Sequence, residues 1–191
     1  MSKNISERLE TYGQSLHNLL LELPEHDAVT DTLDYVMGAL CGLTHANRIG
    51  FQNRANKFVN VYRAYLANDA LKVARDEPLN PLWTAGYSFN SGIQRIAAVF
   101  DRIPRLLGAK MKKRVRKKAV STSAKERMAA VNAKPYGNWA RVYDEINAFK
   151  HSPKGRAEGR TVTLNEAVLA FGEIMELLSD NKARLIRMYS P

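Results

Sequence analysis

Apolar side chains recur every three or four residues along almost the whole chain, and that period excludes most architectures. Ile5, Leu9, Tyr12, Leu16, Leu19, Leu20 and Leu23 fall on one helical face, and Pro24 ends the run. Val29, Leu33, Val36, Met37, Leu40 and Leu43 form a second face, and Phe51, Ala55, Phe58, Val59, Tyr62, Tyr65 and Leu66 a third. A fourth helix carries Phe89, Ile93, Ile96, Ala97, Phe100 and Ile103. Pro104, which lacks a ladder donor, is expected to kink or end it. Trp139, Val142, Tyr143, Ile146 and Phe149 share a stripe on a fifth helix. Thr163 and Glu166 then have capping-box spacing at the head of a last helix, whose buried face is Leu164, Val168, Phe171, Ile174, Met175 and Leu178. No stretch alternates with the period of a strand, and no internal repeat is present. The expectation is an all-α bundle of five to six main helices in a single domain over residues 1–191, a length sufficient for one sizeable core.

Residues 108–135 break the period. They are Lys-rich, and Glu126 is their only acid. The stretch is long for a loop in a compact domain, so it reads as a basic insertion between the fourth and fifth helices that is functional, partly disordered, or both. A short helix at about 123–133 fits within it. Lys110, Lys112, Lys113, Arg114, Arg116, Lys117 and Lys118 supply seven of its nine consecutive residues from 110 to 118; without them the chain's net charge of +10 would be +3. So dense a positive field suits a polyanion, either nucleic acid or an anionic membrane surface, although a solvated loop would have the same composition. Leu106, Leu107 and Met111 are too few for a sustained membrane-binding face. No run of 18 apolar residues exists to span a membrane, and the polar start of the chain lacks the apolar centre of a signal peptide, so cytoplasmic residence is expected. The single cysteine, Cys41, cannot form an internal disulfide, and its neighbours Met37, Leu40 and Leu43 suggest a buried packing role.

No glycine-rich phosphate loop, no HExxH and no Cys/His ligand spacing occurs, so neither a metal nor a cofactor is expected. The polar residues that invite a chemical reading lie on the fifth helix and just after it. Asn147 and His151 are one turn apart on one face, with Lys150 beside them and Arg141 upstream; Lys154, Arg156 and Arg160 follow in the loop. Cationic neighbours favour the neutral imidazole of a general base, while Asp144 and Glu145 oppose that effect. A His with adjacent cations suits phosphodiester cleavage, the His moving protons and the cations stabilising charge on phosphate. A helix end also attracts Lys and His simply because they complement its dipole. Tyr136 is the freest aromatic for stacking on a base, whereas Trp139 and Tyr143 fit core packing better. Arg95, Asp101 and Arg102 could pair among themselves or with other helices.

The segment NAFKH at 147–151, followed by a polar loop and a capped terminal helix, resembles the HEPN superfamily of small helical-bundle proteins. The helix YSFNSGIQRIAAVFDR at 87–102, with Asn90, Arg95 and Asp101, is similar to an upstream helix of such bundles, so the resemblance covers roughly residues 83–180. It implies RNA as the partner ahead of DNA, a homodimer, and metal-independent endoribonuclease activity in a toxin or antiviral defence system. His151 matches the motif histidine and Asn147 the polar residue four before it. The motif arginine falls at 146, where this chain has Ile146, and Arg141 is ten residues before His151, ~15 Å along a helix. The alternative is a non-catalytic dimerisation or adaptor module whose basic segment docks an acidic protein partner.

Overall fold

The computed structural model describes residues 4–48, 81–109, 128–129, 136–151 and 162–191, with the side chains of 81–88 and 148–151 left aside. Six helices make up this part, and there is no strand among the described residues: α1 (Ile5–Glu22), α2 (Asp27–Arg48), α3 (Pro81–Leu106), α4 (Gly137–His151), α5 (Leu164–Asp180) and α6 (Lys182–Tyr189). The all-α expectation is met. The periodic run at 51–66 lies outside the described residues. The expected helix at 123–133 is described only at Met128 and Ala129, which are helical, with Met128 buried.

Local chemistry fixes most of the helix ends. Asn4 caps α1, its Oδ1 accepting from the Ser6 and Glu7 amides while the Glu7 carboxylate accepts from the Asn4 amide. The ring Nδ1 of His26 accepts from the Ala28 amide (3.2 Å) at the start of α2. Pro81 opens α3, where a missing N–H costs nothing. Pro104 sits inside the last turn of α3, and the helix continues to Leu106. It stops in a Schellman motif: Gly108, at φ 79°, donates to the Arg105 carbonyl, and Ala109 donates to that of Pro104. The predicted box of Thr163 and Glu166 forms at the head of α5.

Buried residues from all six helices join one core. Within it α2 lies along α3, α4 packs on α3 and α5, and α1 packs on α2 and α5. The α2–α3 approach depends on small residues: a Cβ on Gly92 would lie 3.3 Å from the Ala39 carbonyl and 3.4 Å from the Leu43 amide nitrogen. Trp139, fully buried, is the hub of the α3–α4 contact. Its ring is 4.6 Å from that of Phe100, and its indole N–H donates to the Ile96 carbonyl at 2.9 Å.

Three apolar expectations fail. Cys41 is exposed, and Leu20 and Met37 are 42% and 41% exposed. On α2 the covered face is Val36, Ala39, Leu43 and Ala46, and Cys41 is on the other side of that helix despite its apolar sequence neighbours. The short α6 after α5 is a further helix that the periodicity did not separate.

Candidate nucleic-acid interface

The basic segment follows directly on a hydrogen-bonded helix end. The last carbonyls of α3 lack helical partners, and α6 supplies them: the Tyr189 hydroxyl donates to Leu106 (2.8 Å) and the Arg184 guanidinium to Leu107 (2.6 Å). Gly108 and Ala109 then turn the chain toward Lys110. Lys110, Lys112, Lys113, Arg114, Arg116, Lys117 and Lys118 themselves lie outside the described residues. Residues 108–135 contain ten Lys and Arg against Glu126 alone, so this one segment accounts for nine of the ten excess positive charges.

The second component is α4. Its N-terminus has no cap from its own sequence, and Glu173 of α5 provides one across the helix pair. One Glu173 oxygen accepts from the Asn138 amide (3.1 Å) and side chain (2.8 Å), the other from the Trp139 amide (2.8 Å). Below this clamp Trp139, Val142 and Ile146 are buried, and Tyr143 stacks on Phe100 at 4.7 Å with its hydroxyl donating to Asp101 (3.3 Å). The helix is therefore held from its first turn, and its backbone runs to His151.

The sequence-predicted site residues divide into three groups. Asn147 is half-buried near the end of α4. Lys150 and His151 continue the same helix, but their side chains lie outside the described residues, as do Lys154, Arg156 and Arg160. Arg141 is salt-bridged to Glu166, binding the outer face of α4 to the capping box of α5. Burial raises the Glu166 carboxyl, but hydrogen bonds from Thr163 and Arg141 outweigh it, and the net effect is a pKa below the ordinary carboxylate value. Ile146, where the sequence resemblance expects an arginine, is 7% exposed and belongs to the core.

The stacking role expected of Tyr136 is overturned. Its ring is buried against Trp139, at 6.3 Å between centroids, and it reaches α4 from the inside. Burial pushes its phenol up to about 12, with the carboxylates of Glu176, Asp180 and Glu173 adding to the shift. Arg102 is paired as expected, with Asp31 at 3.1 Å, and its guanidinium lies 3.6 Å over the Tyr35 ring.

One feature on α3 went unread in the sequence. Asn90, Ser91, Gln94 and Arg95 line one wall of an open polar groove of about 550 Å³, and Asp31, Asp34 and Tyr35 of α2 line the other. The signal was a polar stripe at 90, 91, 94 and 95 beside the apolar one, but its partner wall lies about sixty residues away in sequence. Among the described residues no three His, Cys, Asp or Glu side chains form a group able to hold a metal ion, and no helix is long and apolar enough to cross a membrane. Comparison with protein-family models, curated proteins and solved structures finds no match to this chain.

Proposed function

We propose that this protein is a HEPN-like, RNA-directed nucleic-acid-binding protein. The carrying observation is the concentration of nine of ten excess positive charges in residues 108–135, between α3 and α4. Lys110 to Lys118 would hold the phosphate backbone, and Lys154, Arg156 and Arg160, after the other end of α4, would extend that contact. Contacts of this kind release counterions, so binding is strongly salt-dependent and only weakly sequence-specific. The anchored base of the basic segment at Gly108 and the clamped start of α4 support the reading, because both ends of the cationic stretch begin from fixed backbone.

Cleavage is the stronger form of the proposal, as expected of a toxin or defence ribonuclease. His151 would take the proton from a ribose 2′-hydroxyl, the 2′-oxygen would bond to the adjacent phosphorus, and the P–O5′ bond would break as the 5′-oxygen takes a proton from water. The products are a 2′,3′-cyclic phosphate and a 5′-hydroxyl. Among the described residues no arginine is free for this step near the end of α4, since Ile146 is in the core and Arg141 is engaged with Glu166. In this reading cleavage belongs to a homodimer in which a second copy brings Arg156 or Arg160 to His151. The same two observations favour the second reading, a non-catalytic adaptor that docks an acidic protein.

Incubation with labelled RNA separates these readings. A shift without new ends identifies a binder. A shift with cyclic-phosphate products that persist in EDTA and vanish in His151→Ala, with the helical circular dichroism retained, identifies the ribonuclease. Neither a shift nor products leaves the adaptor.

A further inference from the structure

The groove between α2 and α3 has a charge arrangement that the proposed backbone contacts do not use. Asp31 is taken by Arg102, and Arg102 lies on Tyr35. Arg95 also lies over the Tyr35 ring, its guanidinium carbon 5.8 Å from the centroid. Among the described residues neither Asp34 nor Arg95 has a partner of opposite charge. The groove thus offers one carboxylate, one guanidinium and the neutral side chains of Asn90, Ser91 and Gln94, beside the Tyr35 ring on which Arg102 is stacked. Its lining carries two Asp and one Arg, and Arg102 just outside it neutralises Asp31, which gives a polyphosphate no advantage. A flat, neutral ligand with donors and acceptors on its edge fits, and a planar ring can extend the existing stack.

We infer that this groove binds a guanine base. Guanine presents two adjacent donors, N1–H and the N2 amino group, to a single carboxylate, with O6 beside them as an acceptor for a guanidinium or amide. Adenine and cytosine set a ring-nitrogen acceptor next to their amino donor, and uracil flanks its one donor with carbonyls, so each brings a lone pair against Asp34. Gly38 keeps the Arg95 seat open, since a Cβ at 38 would lie 2.6 Å from the Arg95 guanidinium carbon. From Arg95 to the root of the basic segment at Gly108 is thirteen residues, ~20 Å along α3 and its cap. That the base belongs to a strand rests on the RNA-directed reading; the recognition of guanine by the groove stands apart from it.

The test is calorimetric titration of the full chain with guanosine and adenosine monophosphates, beside binding of short strands that contain or lack guanine. Guanosine monophosphate is expected to bind at least about tenfold more tightly than adenosine monophosphate, the worth of one two-point base contact. Asp34→Asn, an exposed position where folding is not at stake, reduces that preference to about unity. Gly38→Ala displaces Arg95 without removing its charge and weakens the nucleotide by roughly tenfold, with helical circular dichroism unchanged. A strand preference that follows Asp34 identifies a base within RNA as the ligand, while nucleotide preference without strand preference identifies a free nucleotide. Equal affinity for the two nucleotides, no binding of either, or a preference that survives Asp34→Asn overturns the inference. Replacing the seven basic residues at 110–118 with Gln should remove most of the salt-dependent strand affinity and leave the nucleotide titration intact, so the groove and the RNA-directed reading fail separately.

Discussion

Glu173 does for α4 what a capping residue in the same helix would normally do. Its two oxygens satisfy three N–H groups at the start of α4, and Gly137 and Asn138 cannot replace it from within the helix. Glu173→Ala is expected to destabilise the fold by about 1–2 kcal/mol in urea unfolding, and Glu173→Gln, which keeps one acceptor oxygen, by less. The buried phenol of Tyr136 sets an alkaline limit. Its pKa is raised to about 12 in the fold, against 10.0 for the free group, so the folded state keeps a proton that the unfolded chain releases. That contribution to stability is complete below pH 10 and is lost as pH rises toward about 12. Unfolding midpoints should fall across this window, and Tyr136→Phe should flatten the fall. Glu166 acts at the other limit with the opposite sign. Its lowered pKa stabilises the fold above the ordinary value of 4.5, and the contribution is lost as pH drops below it. Arg141→Gln and Thr163→Ala should each weaken that acid dependence, read from the same unfolding curves.

At the scale of helices, the sequence was most legible where burial and period coincide. Phe89, Ile93, Ile96, Phe100 and Ile103 could be placed on one face because a buried stripe repeats about every 3.6 residues, and all five are buried. The Thr163–Glu166 box was legible because a cap is a local hydrogen-bonding device with fixed spacing. Leu20, Met37 and Cys41 were misjudged because the period gives a direction around each helix but not how far the neighbouring helices reach around it. Tyr136 was misjudged for a related reason: it precedes the helix, and its burial depends on how the core closes around it. The polar groove and the Glu173 clamp were illegible because their walls come from distant segments. Close helix approach is testable in the same terms. Gly92→Val would force carbon into the backbone of α2, where even a Cβ lies 3.3 Å from the Ala39 carbonyl. Overpacking of this kind costs about 1–3 kcal/mol, measurable as a lower denaturation midpoint.

For the molecule as a whole, the fold and the proposed grip on RNA reside in different parts of the chain. The helices bury one apolar core, while nine of the ten excess positive charges lie in residues 108–135 between α3 and α4. The basic run was the plainest functional signal in the sequence, because charge density does not depend on folding. The end of α4 was legible as a candidate from the spacing of Asn147 and His151, and the engagement of Arg141 by Glu166 became visible only with α5 in place. Substituting the run should therefore strongly weaken strand binding while sparing stability. The most direct measurement is the affinity for a single-stranded RNA as a function of salt, for the native chain and for a variant with all seven Lys and Arg of 110–118 replaced by Gln. The account predicts a steep logarithmic slope, about −5 from the seven residues if all contact phosphate, and that share is lost in the variant, leaving only the shallow remainder from Lys154, Arg156 and Arg160, while the unfolding midpoint is unchanged. Affinity insensitive to salt, or a variant that binds RNA as tightly and as steeply as the native chain, would contradict it.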